Sequence, residues 1–140
     1  MQNLAMLREE HAELVEIVQR LSLFIMQPRP PAAGDLFKVR NELTSALIGH
    51  LKAEDWVLYP RLLGSADATV AATARAFSDE MGGLADAYRT YANKWTAISI
   101  AYEWGAYCEE TRLIIDALTS RINRENRHLY PLLEGLNKAA

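Results

Sequence analysis

The sequence predicts an all-α fold, namely an up-down-up-down four-helix bundle that forms one domain over residues 1–140. Three observations predict it. Apolar residues recur at intervals of three and four, which places them on one face of a helix. Glycine and proline clusters interrupt this pattern only briefly, as short loops between antiparallel helices would. Motifs of the first half of the chain recur in the second half, so the bundle is expected to consist of two related helical hairpins.

The first helix is expected to begin near Leu4 and to end before Pro28, where a proline-rich loop begins. The pair Pro30–Pro31 and residues 32–34 complete that loop. The expected inward stripe of the helix is Leu4, Leu7, His11, Leu14, Val15, Val18, Leu21 and Ile25.

The second helix is expected to start from an N-cap at Asp35 and to reach about Gly64. Pro60 is expected to kink or end its last turns, because proline removes a backbone donor. The inner face of this helix is predicted to carry Leu47, His50, Glu54 and Leu58.

Ser65 or Asp67 is expected to cap a third helix, and the pair Gly82–Gly83 should weaken its middle and allow a neighbour to approach closely. Its predicted inward stripe is Val70, Ala74, Phe77, Met81, Leu84, Tyr88, Tyr91 and Trp95. A junction over residues 95–101 then leads into a long fourth helix. Its inward residues are predicted to be Leu113, Leu118, Arg121, Glu125 and Leu129.

The internal repeat contains side chains that could bind a metal ion. The segment from His50 to Pro60 recurs 71 positions later, from Arg121 to Pro131. A histidine and a glutamate four residues apart share one face of a helix, which suits a metal ion held inside a bundle. Arginine at the head of the second copy offers no lone pair to a metal. The repeat therefore indicates a two-fold metal-binding scaffold in which one half has lost ligands.

These motifs resemble those of the hemerythrin-like family, the HHE cation-binding domains, which are four-helix bundles with a non-haem di-iron centre. The resemblance covers nearly the whole chain. It rests on Glu10–His11, on His50 and Glu54 followed by Leu58–Tyr59–Pro60, and on Glu125–Asn126 followed by Leu129–Tyr130–Pro131. The metal ligands that the resemblance implies are His11, His50, Glu54 and Glu125. Met81 and Arg121 stand where the family pattern has histidines, so we do not expect an intact di-iron centre.

Two states of the site follow from these residues. In the first, Arg121 forms charge-assisted bonds with Glu54 and Glu125, and the site is metal-free or binds metal weakly. In the alternative, His11, His50 and Glu54 hold one iron, manganese or zinc ion, and Glu125 adds a fourth bond. We expect the first state and keep the second as the alternative.

The composition and the motifs of the chain argue against several classes of function. The net charge of −3 gives no basic surface for nucleic acid. No apolar run approaches the roughly 20 residues that cross a bilayer, and the charged N-terminus does not resemble a signal peptide, so a cytoplasmic location is expected. The single Cys108 is expected to be a buried, inert thiol. No nucleophile–base pair or phosphate loop is visible, which argues against an enzyme.

We therefore expect a small regulatory or sensory protein that acts through a protein partner or as a homodimer. The alternative is a mononuclear iron sensor of dioxygen, nitric oxide or redox state. An aromatic-rich segment over residues 88–107 is a candidate interface, with Trp95, Tyr102 and Trp104 as its main residues, or else a satellite core at one end of the bundle. Tyr59 and Tyr130 are expected to close the hairpin ends with a hydrogen-bonding hydroxyl.

Overall fold

A computed structural model of the protein describes residues 4–139, with side chains described up to residue 135. The described part of the chain is helical and contains no strand, which confirms the predicted all-α class. The elements are α1 Leu4–Ile25, α2 Ala33–Ala53, a first π-helical turn Glu54–Leu58, α3 Tyr59–Leu63, α4 Ala68–Met81, α5 Leu84–Lys94, α6 Ala97–Tyr102, α7 Trp104–Arg124, a second π-helical turn Glu125–Leu129 and α8 Tyr130–Ala139.

The long helices pack side by side and enclose the core. Helix α1 packs against α2 and α7, and α5 packs against α7 and α2. One apolar cluster fills the space between these four helices, and a second cluster lies under α3, α4 and α8. On α1, Leu7 belongs to the second cluster and Leu14 to the first, so His11 lies between the two. This arrangement fits a bundle, and the up-down-up-down order stays a prediction.

The first helix has the predicted bounds, but its buried stripe is narrower than expected. Val15 is 38% exposed, because it follows Leu14 directly and lies about 100° around the helix from it.

The N-cap prediction at Asp35 was wrong. Ala32 adopts the extended backbone before α2, and Asp35 lies in the first turn, where its N–H donates to the Ala32 carbonyl. There its carboxylate interacts favourably with the positive end of the helix dipole, but it does not cap the helix.

The second predicted helix does extend to Leu63, but Pro60 does not end it. The helix widens by one residue just before the proline, so that the Tyr59 N–H donates to the carbonyl of Glu54. Proline then falls at the start of α3, where a missing N–H costs little. The second repeat widens in the same way, because the Tyr130 N–H donates to the carbonyl of Glu125.

The third predicted helix is two helices. Helix α4 ends at Met81 and α5 begins at Leu84, with Gly82 and Gly83 between them. A Cβ at Gly82 would lie 2.5 Å from the backbone oxygen of Ser78, closer than side-chain carbons come to an oxygen. The glycine pair therefore breaks the helix rather than merely weakening it.

The predicted start of the helix that begins at α4 is confirmed, whereas the chain after Trp95 forms two helices, α6 and α7. The Asp67 side chain caps α4 by accepting from the Val70 N–H at 3.0 Å, as one of the two alternatives predicted. After Trp95, α6 begins from a Thr96–Ser99 capping box, and α7 follows from Trp104. Leu113 was wrongly placed inward and is 69% exposed, since the buried face of α7 passes through Leu118 and the residues one and two turns beyond it.

The aromatic-rich segment divides between core and surface. Trp95 is buried, lies edge-on to Tyr107 and donates its indole N–H to Glu110, so its prediction as an interface residue was wrong. Trp104 is half-buried against the same tyrosine, whereas Tyr102 is 85% exposed. Of the aromatic side chains in this segment, Tyr88, Tyr91, Trp95 and Tyr107 are buried, and Tyr102 is exposed. Cys108 is buried, as predicted. Within residues 4–139, no helix combines the length and apolar character needed to cross a membrane.

Candidate metal centre

The four predicted ligands come together in the interior. His11 lies on α1 and His50 on α2, while Glu54 and Glu125 are the first residues of the two π-helical turns. One nitrogen or oxygen atom of each side chain lies within 4.8 Å of the corresponding atoms of the others. None of the four residues is more than 3% exposed. We call these four residues the ligand cluster.

Both histidines present the same nitrogen to the cluster. His50 Nδ1–H donates to Glu10 Oε1 at 2.7 Å, and His11 Nδ1–H donates to the side-chain oxygen of Asn126 at 2.8 Å. Each ring therefore directs Nε2 inward, 2.9 Å from Glu54 Oε1 for His50 and 3.1 Å from Glu125 Oε1 for His11. Metal-ligating histidines are oriented in this way, with the outer ring nitrogen held by an oxygen.

Two tyrosines hold the glutamates from the opposite repeat. Tyr59, which follows the first π-helical turn, donates its hydroxyl to Glu125 Oε2 at 2.7 Å. Tyr130, which follows the second, donates to Glu54 Oε2 at 2.6 Å and stacks on the His11 ring. The predicted hydrogen-bonding role of both hydroxyls is present, but their partners are the ligand carboxylates. Each glutamate thus accepts a hydrogen bond from the tyrosine of the other repeat.

Arg121 lies beside the cluster and is 1% exposed. Its Nε donates to Glu125 Oε2 at 3.2 Å and its Nη2 to Glu54 Oε1 at 3.4 Å, the two contacts that the sequence predicted. It also donates to Asp55 Oδ1 at 2.6 Å and to the backbone oxygen of Met81 at 3.3 Å. No sequence pattern predicts these two partners, because they depend on how the π-helical turn and the end of α4 are oriented.

Protonation follows from these contacts. Burial disfavours a charged His50, but the contacts with Glu54 and Glu10 outweigh burial and raise the pKa of His50 to about 9. Burial alone would raise the pKa of Glu54, but His50 and Arg121 lower it below its usual range. Burial and the neighbouring Glu54 charge raise the pKa of Glu125. In the absence of a metal, the positive charges beside the two glutamates are therefore those of Arg121 and a protonated His50.

The donor atoms nevertheless fit one metal ion. His50 Nε2 lies close to Glu54 but is poorly aligned for a hydrogen bond, and neither it nor Glu125 Oε1 has a hydrogen-bond partner among the described residues. With His11 Nε2 and Glu54 Oε1, they form a set of two imidazole nitrogens and two carboxylate oxygens that suits Fe(II), Mn(II) or Zn(II). The other carboxylate oxygens are taken by the two tyrosine hydroxyls and Arg121, so the set does not fit two ions.

Three other side chains, those of Met81, His128 and Glu80, lie outside the ligand cluster. The Met81 side chain is half-buried and packs against the second apolar cluster, so only its backbone oxygen reaches Arg121. His128 is exposed, and Glu80 forms an ion pair with Arg124. None of these three side chains contributes a ligand atom.

Comparison with known proteins gives one match. The family model described as the hemerythrin HHE cation-binding domain matches residues 2–133, which is nearly the whole chain. No curated protein and no solved structure matches significantly.

Proposed function

Because the chain belongs to the hemerythrin HHE cation-binding domain family, we propose that it is a small regulatory or sensory protein that binds one divalent metal ion, with Fe(II) as the first candidate. One observation carries this proposal. Four buried donor atoms of the ligand cluster converge, and two of them have no hydrogen-bond partner among the described side chains. A buried polar atom without a partner costs free energy, and a bound cation would remove that cost. An up-down-up-down bundle of two hairpins is the scaffold that we assign to this site.

The cluster supports a sensor rather than an enzyme. Its four side chains are almost fully buried, which suits a diatomic ligand such as dioxygen or nitric oxide better than a large substrate. Bound iron would supply a redox-active centre for such a ligand. The protein would orient the two imidazoles through Glu10 and Asn126, and the two carboxylates through Tyr130 and Tyr59. We place this activity in the cytoplasm, with the signal passed to a protein partner or a second copy of the chain.

A second candidate is a metal-free interaction module, and one observation favours it. Arg121 and a protonated His50 already supply the positive charge that two buried carboxylates require. In that case the scaffold would act through its surface alone. Metal content separates the two candidates.

The deciding experiment is elemental analysis after anaerobic loading with Fe(II) and removal of loose metal. We expect about one ion per chain for the wild type, since the cluster offers a single four-donor set. His50→Ala should bring the ratio close to zero. His128→Ala is the matched control, because His128 is exposed, and it should leave the ratio unchanged. A wild-type ratio near zero would exclude the single-metal function and leave the metal-free module.

A further inference from the structure

The guanidinium of Arg121 is surrounded by oxygen atoms, and one of them dominates. Nη2 lies 2.6 Å from Asp55 Oδ1 but 3.4 Å from Glu54 Oε1. The contacts with Glu125 Oε2 and with the Met81 carbonyl are 3.2 and 3.3 Å long. Charge-assisted hydrogen bonds between nitrogen and oxygen are strongest below about 2.9 Å. Asp55 is therefore the main anchor of this guanidinium.

Asp55 is not part of the ligand cluster. Its side chain is 22% exposed, whereas those of Glu54 and Glu125 are completely buried. It contributes no atom to the group of converging donors. Its carboxylate thus holds a cation that lies next to the cluster rather than one inside it.

The repeat explains what an acidic side chain does at this position. Asp55 corresponds to Asn126, whose side-chain oxygen holds Nδ1 of His11. The residue that corresponds to His11 is Met81, which has no ring nitrogen. Asp55 consequently has no imidazole to orient, and it binds Arg121 instead.

The glutamate that corresponds to Glu10 has likewise lost an imidazole partner and binds an arginine. Glu10 holds Nδ1 of His50, and the residue that corresponds to Glu10 is Glu80. Since Arg121 replaces the histidine there, Glu80 has no imidazole either, and it pairs with Arg124. Asp55 and Glu80 therefore both bind arginines, whereas the corresponding residues Asn126 and Glu10 orient imidazoles.

Resting on the single-metal function proposed above, we propose that Asp55 is a positioning residue that fixes the Arg121 guanidinium as a permanent internal cation and so limits the protein to one metal ion. The guanidinium is always charged and presents a fixed fork of donors, which suits it to several carboxylates at once. Without Arg121, three carboxylates and the Met81 carbonyl would remain together. Such an all-oxygen set suits a hard cation such as Mn(II).

The first test counts ions. The wild type, Arg121→Ala and the double variant Asp55→Ala/Arg121→Ala are loaded with Mn(II), and metal per chain is measured after loose metal is removed. We expect about one ion in the wild type, about two in Arg121→Ala and about one in the double variant, because the second ion needs Asp55. A second ion that is absent from Arg121→Ala, or that persists in the double variant, would overturn the proposal.

The second test needs no metal. In the presence of a chelator, the melting temperature of Arg121→Ala is followed as guanidinium chloride is added up to roughly 20 mM, where its denaturing effect is negligible. We expect a rise of several degrees as free guanidinium fills the space beside Asp55, and no rise with urea at the same concentration. The double variant should show no rescue. Equal rescue in both variants, or rescue in neither, would contradict the role of Asp55.

A third measurement does not depend on whether Arg121→Ala folds. In the otherwise intact chain, Asp55→Asn should speed hydrogen exchange at the Arg121 guanidinium N–H groups by at least about tenfold, because Nη2 loses its shortest contact. Asp55→Glu should restore slow exchange. An exchange rate in Asp55→Asn equal to that of the wild type would overturn the positioning role.

These tests also separate the two proposals. A wild type without metal, together with guanidinium rescue of Arg121→Ala, would refute the single-metal function and leave the internal cation in place. A wild type with one ion, but with no rescue and no second ion in Arg121→Ala, would refute the internal cation and leave the single-metal function in place.

Discussion

At the scale of single residues, the site depends on polar partners outside the ligand cluster. His11 and His50 lie on different helices, yet both direct Nε2 inward because an oxygen of Asn126 or Glu10 holds Nδ1. Local sequence shows which side chains share a helix face, but it does not show which oxygen faces a ring from another helix. The sequence pattern marks Glu10–His11 as a motif, but it does not indicate that Asn126 is the partner of His11.

Arg121 permits a residue-scale prediction of stability. Arg121→Met keeps much of the side-chain volume but leaves Glu54, Asp55 and Glu125 without their shared cation. Breaking a buried ion pair on one side costs about 3–5 kcal/mol, so the metal-free variant should lose that much free energy of unfolding.

Urea denaturation in the presence of a chelator measures this loss. Arg124→Met is the control, because the pair of Arg124 with Glu80 is partly exposed and should contribute about 1 kcal/mol or less. An Arg121→Met variant as stable as the wild type would show that the guanidinium does not stabilise the buried carboxylates.

At the scale of elements, the two π-helical turns organise the site. Each turn begins with a ligand glutamate and is followed by a tyrosine that binds the glutamate of the other turn. Such widened turns are often found at functional sites. The sequence predicted the helix that carries each turn, and the recurring Tyr–Pro pair marked both positions. The sequence pattern did not predict the widening. Pro60 was expected to kink or end its helix, whereas the widened turn lets the helix continue through the proline.

The break between α4 and α5 permits an element-scale prediction. Gly82→Ala should destabilise the protein by about 1–3 kcal/mol, because the new Cβ would lie 2.5 Å from the Ser78 carbonyl, which the backbone must move to accommodate. Met81, whose carbonyl accepts from Arg121, is the preceding residue, so the shift should also disturb the guanidinium.

Thermal unfolding of both glycine variants tests this expectation. At Gly83 a Cβ would meet no atom within 4 Å, so Gly83→Ala should change the stability by no more than about 1 kcal/mol and can stabilise through the unfolded chain. Equal effects at the two positions would show that the break does not depend on the close contact at Gly82.

For the protein as a whole, the two halves of the chain repeat one motif but differ at the positions of the ligands. The exposed residues of α6 offer a surface by which such a scaffold could meet a partner or a second copy. Ile98 is 72% and Tyr102 85% exposed, and they lie four residues apart on the same face of the helix. Trp104, at the start of α7, donates its indole N–H to the Gln27 carbonyl, so it links α7 to the loop that follows α1.

We therefore expect Tyr102→Ala to weaken self-association without lowering the melting temperature, because its side chain makes little contact with the core. Light scattering over a range of concentrations measures the association. Trp95→Ala is the contrasting variant, since removing a buried tryptophan should destabilise the fold by about 3–5 kcal/mol. A wild type that stays monomeric at every concentration would exclude a homodimer through this surface.

The all-α class and the internal repeat could be predicted from spacing along the chain, since residues four apart share a helix face whatever lies opposite. The four residues of the ligand cluster followed from the family resemblance of the motifs in which they lie. The inability of Arg121 to bind a metal is likewise a property of one side chain.

The contacts of these groups, by contrast, follow from the packing of the helices and could not be predicted from the sequence. Asp55 binds Arg121, Tyr130 binds Glu54, and Trp95 lies in the core rather than on the surface. Each contact joins residues that are far apart in the chain, and its direction depends on the widened turns and on helix packing. A repeat predicts that equivalent residues occupy equivalent places, but packing decides which charge faces which.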